Sequence, residues 1–258
     1  MVTCSHGRRA VIEGLIADVQ AVLAWFADPA NWTGRDGIPN RLTEHLVMCG
    51  LSMAVAIAVA LPVGLYIGHT GRFAVLSVQV ANLGRAIPSY ALMAVLYPLS
   101  IAFSLGVGGD VAFLATFAAM VLLAVPPIVT TTWTGIGGVD VDLREAAQGM
   151  GMRGHQVLRG LEVPLALAVI LTGVRIAAVQ VVATATLGAV FGGGGLGRYI
   201  IQGVARQDEA RLWAGVLMVA TLAIVTELGF SLWIRRAERR SGRDARGAEE
   251  PTAVPAEA

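Results

Sequence analysis

The chain has 258 residues, 55% of them hydrophobic and only 14% charged, with a mean hydropathy of +0.68 and a formal net charge of +1. Soluble globular chains carry about 25% charged residues. This composition therefore excludes disorder, a coiled coil and, with no basic surplus, a nucleic-acid reader. All nineteen basic residues are arginines, which removes a P-loop lysine, a Schiff-base lysine and a lysine general base. Cys4 and Cys49 lie far apart without metal spacing, so they predict neither a disulfide framework nor a zinc site. Cys49 sits in an apolar run and reads as packing.

The elements follow in chain order. Near the start, Ile12, Leu15, Ile16, Val19, Val22, Leu23 and Phe26 share one helical face, with Glu13, Asp18 and Gln20 off it. This predicts an amphipathic helix lying along a membrane or against a bundle. Its acidic residues, and the lack of a small-residue cleavage site after it, are unlike a secretory signal. Residues 28–40 hold Asp28-Pro29, Asn31, Gly34, Asp36-Gly37 and Pro39, which is loop chemistry. Residues 46–67 are apolar and, at ~1.5 Å per residue, cross a ~30 Å hydrocarbon core.

Residues 73–103 are apolar but broken by Asn82, Arg85, Pro88 and Pro98, predicting one or two helices bent near Ile87-Pro88-Ser89. A cleaner span covers 111–133, ending near Pro126-Pro127. The spans at 164–191 and 212–234 each bury one charge, Arg175 and Glu227 respectively. Trp213 and Trp233 stand ~30 Å apart along a helix, the separation of two aromatic belts. The tail after Arg235 is Arg-rich, then rich in Ala, Glu and Pro, and predicts disorder. The expected architecture is an all-α polytopic membrane protein with five to six transmembrane helices. It divides into an external helix and loop (1–44), a transmembrane domain (45–234) containing a loop at 134–163, and a tail (235–258).

Arginine placement predicts orientation. Arg72, Arg144, Arg153, Arg159 and the six arginines of 235–246 lie on one side, against Arg35, Arg41, Arg198, Arg206 and Arg211 on the other. Positive charge favours the cytoplasmic side, which puts the 134–163 loop and the C-terminus there, and with five spans the N-terminus outside. A split of 73–103 into two full spans would reverse the N-terminal side.

The loop reads Glu145-Ala146-Ala147-Gln148-Gly149-Met150-Gly151, then nine residues, then Leu161-Glu162-Val163-Pro164. It predicts a short helix starting near Asp142 as N-cap, with Glu145 in its first turn. Gly151 permits a sharp turn or a close backbone approach. Pro164 opens the next span, where its missing N–H costs nothing. Such a helix either merely connects two spans or docks on a soluble partner.

This segment resembles the EAA loop of ABC-importer permeases: Glu-Ala-Ala, three residues, Gly, nine residues, then an apolar-x-apolar-Pro close. It departs only in Leu161 and Val163, where Ile and Leu are commoner. Residues 145–197, including Gly192-Gly193-Gly194-Gly195-Leu196-Gly197, resemble the osmoprotectant branch, which imports glycine betaine, choline or carnitine. Residues 81–92, with Ile87-Pro88-Ser89-Tyr90-Ala91-Leu92, and residues 28–46 are similar to it too, so the likeness covers about 28–234.

The resemblance implies the MetI-like permease fold in a prokaryotic cytoplasmic membrane. It implies a coupling helix that docks on a cytoplasmic ATPase subunit through Glu145, Ala146, Ala147, Gly151 and Met152. A second permease subunit, as homodimer or heterodimer, and an external solute-binding protein would complete the importer. No G-x-x-x-x-G-K-[S/T] is present, so ATP and Mg are expected on the partner ATPase, with no cofactor and no catalysis on this chain. The expected solutes are glycine betaine, choline, carnitine and proline betaine. Alternatives are an importer of another small solute such as an amino acid, a stand-alone secondary carrier, or an intramembrane enzyme. The EAA loop argues against the carrier, and the lack of a Ser/His or Asp/Asp pair in the spans argues against the enzyme.

Other residues carry separate expectations. Gly192, Gly194 and Gly197 match G-x-G-x-x-G, but a dinucleotide site needs a βαβ unit, so an external turn leading into a short helix at 196–204 is expected. Arg85, Arg175 and Glu227 are intramembrane charges, which face a bundle interior, a cavity or a partner. Arg175 lies ~16 Å from Pro164 and Glu227 ~9 Å from Trp233 along their helices; a long Arg side chain bridges much of that gap, so an Arg175–Glu227 interaction is expected. Arg85 snorkels, pairs with Glu227 instead, or lies off the pathway. Pro88, Ser89 and Tyr90 line the translocation path or form a simple kink. Gln180 and Thr184, one turn apart, face the path or bond a neighbouring helix. His6, His45, His69 and His155 have no metal-ligand companions at useful spacing. No aromatic cage for a quaternary ammonium stands out.

Overall fold

The computed structural model of the chain describes residues 3–73, 79, 87–103 and 111–248. Eight helices order them: α1 (Thr3–Ala27), α2 (Ile38–Thr70), α3 (Ser89–Ala102), α4 (Val111–Gly137), α5 (Val141–Gly149), α6 (Val163–Ala185), α7 (Gly197–Arg206) and α8 (Glu209–Ala248). A short helical turn (Gly154–Val157) and a π-helical turn (Leu158–Glu162) lead into α6, and a 3-10 turn (Thr186–Phe191) leaves it.

Four stretches are long and apolar enough to cross a membrane: Ile38–Thr70, Val111–Gly137, Gly154–Phe191 and Glu209–Arg236. The five to six expected spans thus resolve, among the described residues, into four plus the shorter α3, whose 14 residues rise about 21 Å. Arg85, and the stretch on which the count of helices between α2 and α3 turns, lie outside the described residues.

Sequence and structure differ at four boundaries. The first span begins at Ile38 rather than Leu46, because Gly37 caps it and Pro39 sits in the first turn, where no N–H is needed. Helix α4 runs through Pro126 and Pro127 to Gly137; Pro126 is buried against the neighbouring helices, whose packing offsets the lost hydrogen bonds. Helix α5 takes its cap from Asp140, whose side chain accepts the Asp142 N–H at 2.9 Å, so Asp142 is a first-turn residue. Of the tail expected to be disordered, the part up to Ala248 continues α8 as helix, since Arg, Ala and Glu are good helix formers, and residues 249–258 lie outside the described residues.

The core lies where α2, α4 and α6 meet, around Ala56, Ala60, Met120, Ala124, Ile128, Ala177 and Val181, with Cys49 buried among them. Small residues at four-residue spacing on α2 let α4 come close. A methyl added at Gly64 would lie 2.7 Å from Thr132 Cβ, and one at Gly68 2.6 Å from Ile136 Cβ. Overpacking of this kind costs about 1–3 kcal/mol. Gly68→Val is therefore expected to lower the thermal midpoint of the detergent-solubilised protein, while Gly50→Val, at a glycine with open space, is expected to leave it unchanged.

Helix α8 packs on α6, α7 and α1, and α3 packs on α4. From α1, Val22 is buried, Trp25 and Phe26 are half-buried, and Ile16, Val19 and Leu23 stay exposed. One part of the apolar face predicted for α1 thus packs on the bundle and another part is left outward.

Candidate coupling and translocation sites

At the Thr70 and Gly137 end, α5 follows α4 and is tied to it through Arg144, which reaches Ile136 O. Glu145 and Ala146 are exposed, and Ala147 is buried. The helix closes when Gly151 N–H donates to Gln148 O (2.9 Å) and Met152 N–H to Ala147 O (3.1 Å). Gly151 has φ +88 and open space around it. Of the two roles expected for this glycine, the structure shows the turn: it is the left-handed residue of a Schellman close. Val141, Leu143 and Met150 are exposed, Met150 by 79%; Leu143 and Met150, seven residues apart, share one side of α5, with Val141 on the other. Met152 turns back, with its Cε 3.4 Å from the place a methyl on Gly160 would occupy.

Behind α5 sits a residue that the sequence reading passed over. Glu162, 1% exposed, occupies the variable position of the apolar-x-apolar-Pro close. His69 Nδ1, from the end of α2, lies 2.8 Å from its Oε2, and Arg144 Nε, from α5, lies 3.1 Å from its Oε1. Arg144 Nη2 also donates to Ile136 O at the end of α4. One carboxylate thus joins α2, α5 and the π turn that opens α6, and through Arg144 also α4. The available signal was a carboxylate inside an apolar close, which burial forces to find partners.

Within the spans, Arg175 Nη1 lies 3.4 Å from Glu227 Oε1 and donates to Ser231 Oγ at 3.1 Å. Two helices distant in sequence place these charges at one depth. Of the residues expected on the path, Gln180 is half-buried and Thr184 buried. Pro88 caps α3, Ser89 is half-buried and Tyr90 is 51% exposed.

Tertiary packing brings together three rings, one of them far from the other two in sequence. Tyr90 and Tyr97 of α3 flank Phe191 of the 3-10 turn, at centroid distances of 5.6 and 5.4 Å. Phe191 comes 94 residues after Tyr97, so no local spacing announces the group.

At the other end of the bundle, the glycine run folds over the start of α2. Gly192 and Gly195 have φ +92 and +81, and Gly195 N–H donates to Glu44 Oε2 at 2.9 Å. The described surroundings are helical, so the G-x-G-x-x-G match makes a tied turn into α7. Arg41 pairs with Glu44 (2.7 Å) and Asp36. The hydrogen bond from Arg41, backed by its charge, holds the Asp36 carboxyl below its ordinary value. This contribution is present above the ordinary carboxylate range and is lost as pH falls through the depressed value. Tyr199 OH donates to Asp36 O at 2.6 Å, and burial pushes the hydroxyl up to about 12. His45, 2% exposed, meets Val182 O through Nε2 at 3.2 Å. Arg41, Glu44, His45, the glycine run and Arg198 border a cavity of about 380 Å3. No cluster of His, Cys, Asp or Glu among the described residues could hold a metal ion.

Comparison with known proteins gives this geometry its family. Residues 60–241 match the model of the binding-protein-dependent transport system inner membrane component. The chain is 36% identical, over 75% of its length and 82% of the relative's, to a carnitine transport permease of Listeria monocytogenes, OpuCD. It is 35% identical, over 71% of its length and 81% of the relative's, to a glycine betaine/carnitine/choline transport system permease of Bacillus subtilis, OpuCB. The inward-facing MetNI methionine ABC transporter shares the fold, with TM-score 0.70 at 20% identity over 81% of this chain and 98% of the other. The chain therefore belongs to the binding-protein-dependent transport system inner membrane component family, as a permease of the MetI-like fold.

Proposed function

We propose that this permease forms the translocation pathway of an ATP-driven importer of osmoprotectants: glycine betaine, choline, carnitine and proline betaine. The observation that carries this reading is the likeness, across most of the chain, to permeases named for carnitine, glycine betaine and choline. The exposed apolar side chains of Leu143 and Met150 support docking of α5 on a cytoplasmic ABC ATPase, through Glu145, Ala146, Ala147, Gly151 and Met152. ATP and Mg2+ belong to the ATPase, and this chain carries no cofactor of its own. A second permease subunit completes the pathway, and an external binding protein delivers the solute.

In this reading the excess of arginines around α5 and along the end of α8 puts both in the cytoplasm of a prokaryotic cell. Helix α1, the following loop and the turn at 192–195 face outward. Pro88, Ser89, Tyr90, Gln180 and Thr184 lie along the path.

The test is uptake of labelled glycine betaine at low and high osmolarity. Cells express the permease with its neighbouring ATPase and binding protein, beside a Gly151→Asp control. Asp tolerates the left-handed conformation better than most residues, so Gly151→Asp is expected to assemble and yet to abolish uptake, by placing a charge beside the docking face. Normal uptake by that variant refutes the coupling role. No uptake by the assembled wild-type complex removes the osmolyte assignment and leads to a solute screen with the binding protein.

A further inference from the structure

We infer that Tyr90, Phe191 and Tyr97 form a transient site on the path for the quaternary ammonium group of the solute. The inference rests on the function proposed above. Carnitine, glycine betaine and choline differ in their polar ends, and choline has no carboxylate; the trimethylammonium group is what they share. A path serving all three gains most by reading that group. A cation without N–H donors offers nothing to a hydrogen-bond acceptor, which leaves carboxylates and aromatic faces as its partners. Helix α3 has no charged residue, so ring faces are the chemistry it presents.

The arrangement is built by two elements. Tyr90 and Tyr97 are two turns apart on one face of α3, and Phe191 stands between them at 5.6 and 5.4 Å. The 3-10 turn that carries Phe191 is seated on α4, where a methyl on Gly188 would come 2.6 Å from Thr116 Cγ2. The rings keep open surface: Tyr90 is 51% exposed, and Tyr97 and Phe191 are half-buried. Neither tyrosine hydroxyl has a hydrogen-bond partner among the described residues. No side chain caps the first turn of α3 either, so its free N–H groups also need partners. At membrane depth such groups are tolerated where they are buried in protein or line a water-filled cavity, and the open ring surface here favours the second. The positive end of α3 beside Tyr90 opposes a cation, which keeps the contact weak, as passage requires.

The test uses the assembled permease, ATPase and binding protein in proteoliposomes. Labelled glycine betaine and choline are supplied with saturating loaded binding protein, so that the maximal rate reports the membrane step. Tyr90→Leu and Tyr97→Leu are each expected to lower that rate about fivefold, and Tyr90→Phe and Tyr97→Phe to stay within about twofold of wild type. Phenylalanines with one, two and three fluorines placed at 97 are expected to lower the rate stepwise, because fluorine drains the ring's negative face while keeping its shape. A flat fluorine series, or Leu variants at the wild-type rate, overturns the inference. If a Leu variant fails to assemble, the fluorine series decides. A wild type that moves neither solute overturns the osmoprotectant reading itself, whereas wild-type transport with a flat series overturns only the ring site.

Discussion

Glu162→Ala is expected to lower the thermal midpoint by about 10 °C and to abolish ATP-coupled uptake, the largest loss for any single substitution outside the helix contacts. The reason is burial. The carboxylate is 1% exposed and holds His69 at 2.8 Å and Arg144 at 3.1 Å. Removing one partner of a buried pair costs about 3–5 kcal/mol, because the other charge stays buried without compensation. In a chain of this size, 1 kcal/mol moves the midpoint by about 2–4 °C. Arg144 would keep only its bond to Ile136 O, and α5 would lose its tie to the ends of α2 and α6.

Glu162→Gln keeps the shape and part of the hydrogen bonding, so it is expected to fall between wild type and Ala. Replacing the ion pair by Arg144→Met with Glu162→Met is expected to recover most of the midpoint but not the uptake, since a greasy contact packs without aiming α5. Thermal unfolding in detergent, followed beside uptake, reads all three. An unchanged midpoint in Glu162→Ala would sink the account.

The second large effect is expected at the intramembrane pair. Arg175→Leu leaves Glu227 without its cation on a membrane-spanning helix. A lone charge at the centre of a span costs about 2.5–3.5 kcal/mol on insertion scales. Folded yield is therefore expected to fall well over tenfold, since such a cost corresponds to a change of about a hundredfold in an equilibrium. Arg175→Leu with Glu227→Leu is expected to return close to wild type, because two apolar residues replace two mutually compensating charges. The measurement is monodisperse yield after detergent extraction. A double variant no better than the single one would mean that each charge is held by something other than its neighbour at 3.4 Å.

How far each feature was legible follows from what kind of distance it depends on. The apolar runs gave the spans, because crossing a hydrocarbon layer constrains composition along the chain itself. The α5 helix and its Gly151 turn were readable for the same reason, since Ala147, Gln148, Gly151 and Met152 act on one another within a few residues, although the cap falls on Asp140 rather than Asp142. The proximity of Arg175 and Glu227 could be anticipated as well, since position along a spanning helix measures depth, and two buried charges at one depth seek each other.

What the tertiary structure alone decided is which residues become lateral neighbours. The 93-residue separation between His69 and Glu162 hid the buried carboxylate that holds α5. Burial among neighbouring helices kept Pro126 inside a continuous helix. The seating of the 3-10 turn on α4 set Phe191 between Tyr90 and Tyr97, and the fold of the 192–195 turn walled a cavity beside Glu44 and His45. Hydropathy along a chain encodes depth in the membrane; it carries no term for the rotation of one helix against another, and these contacts are made by that rotation.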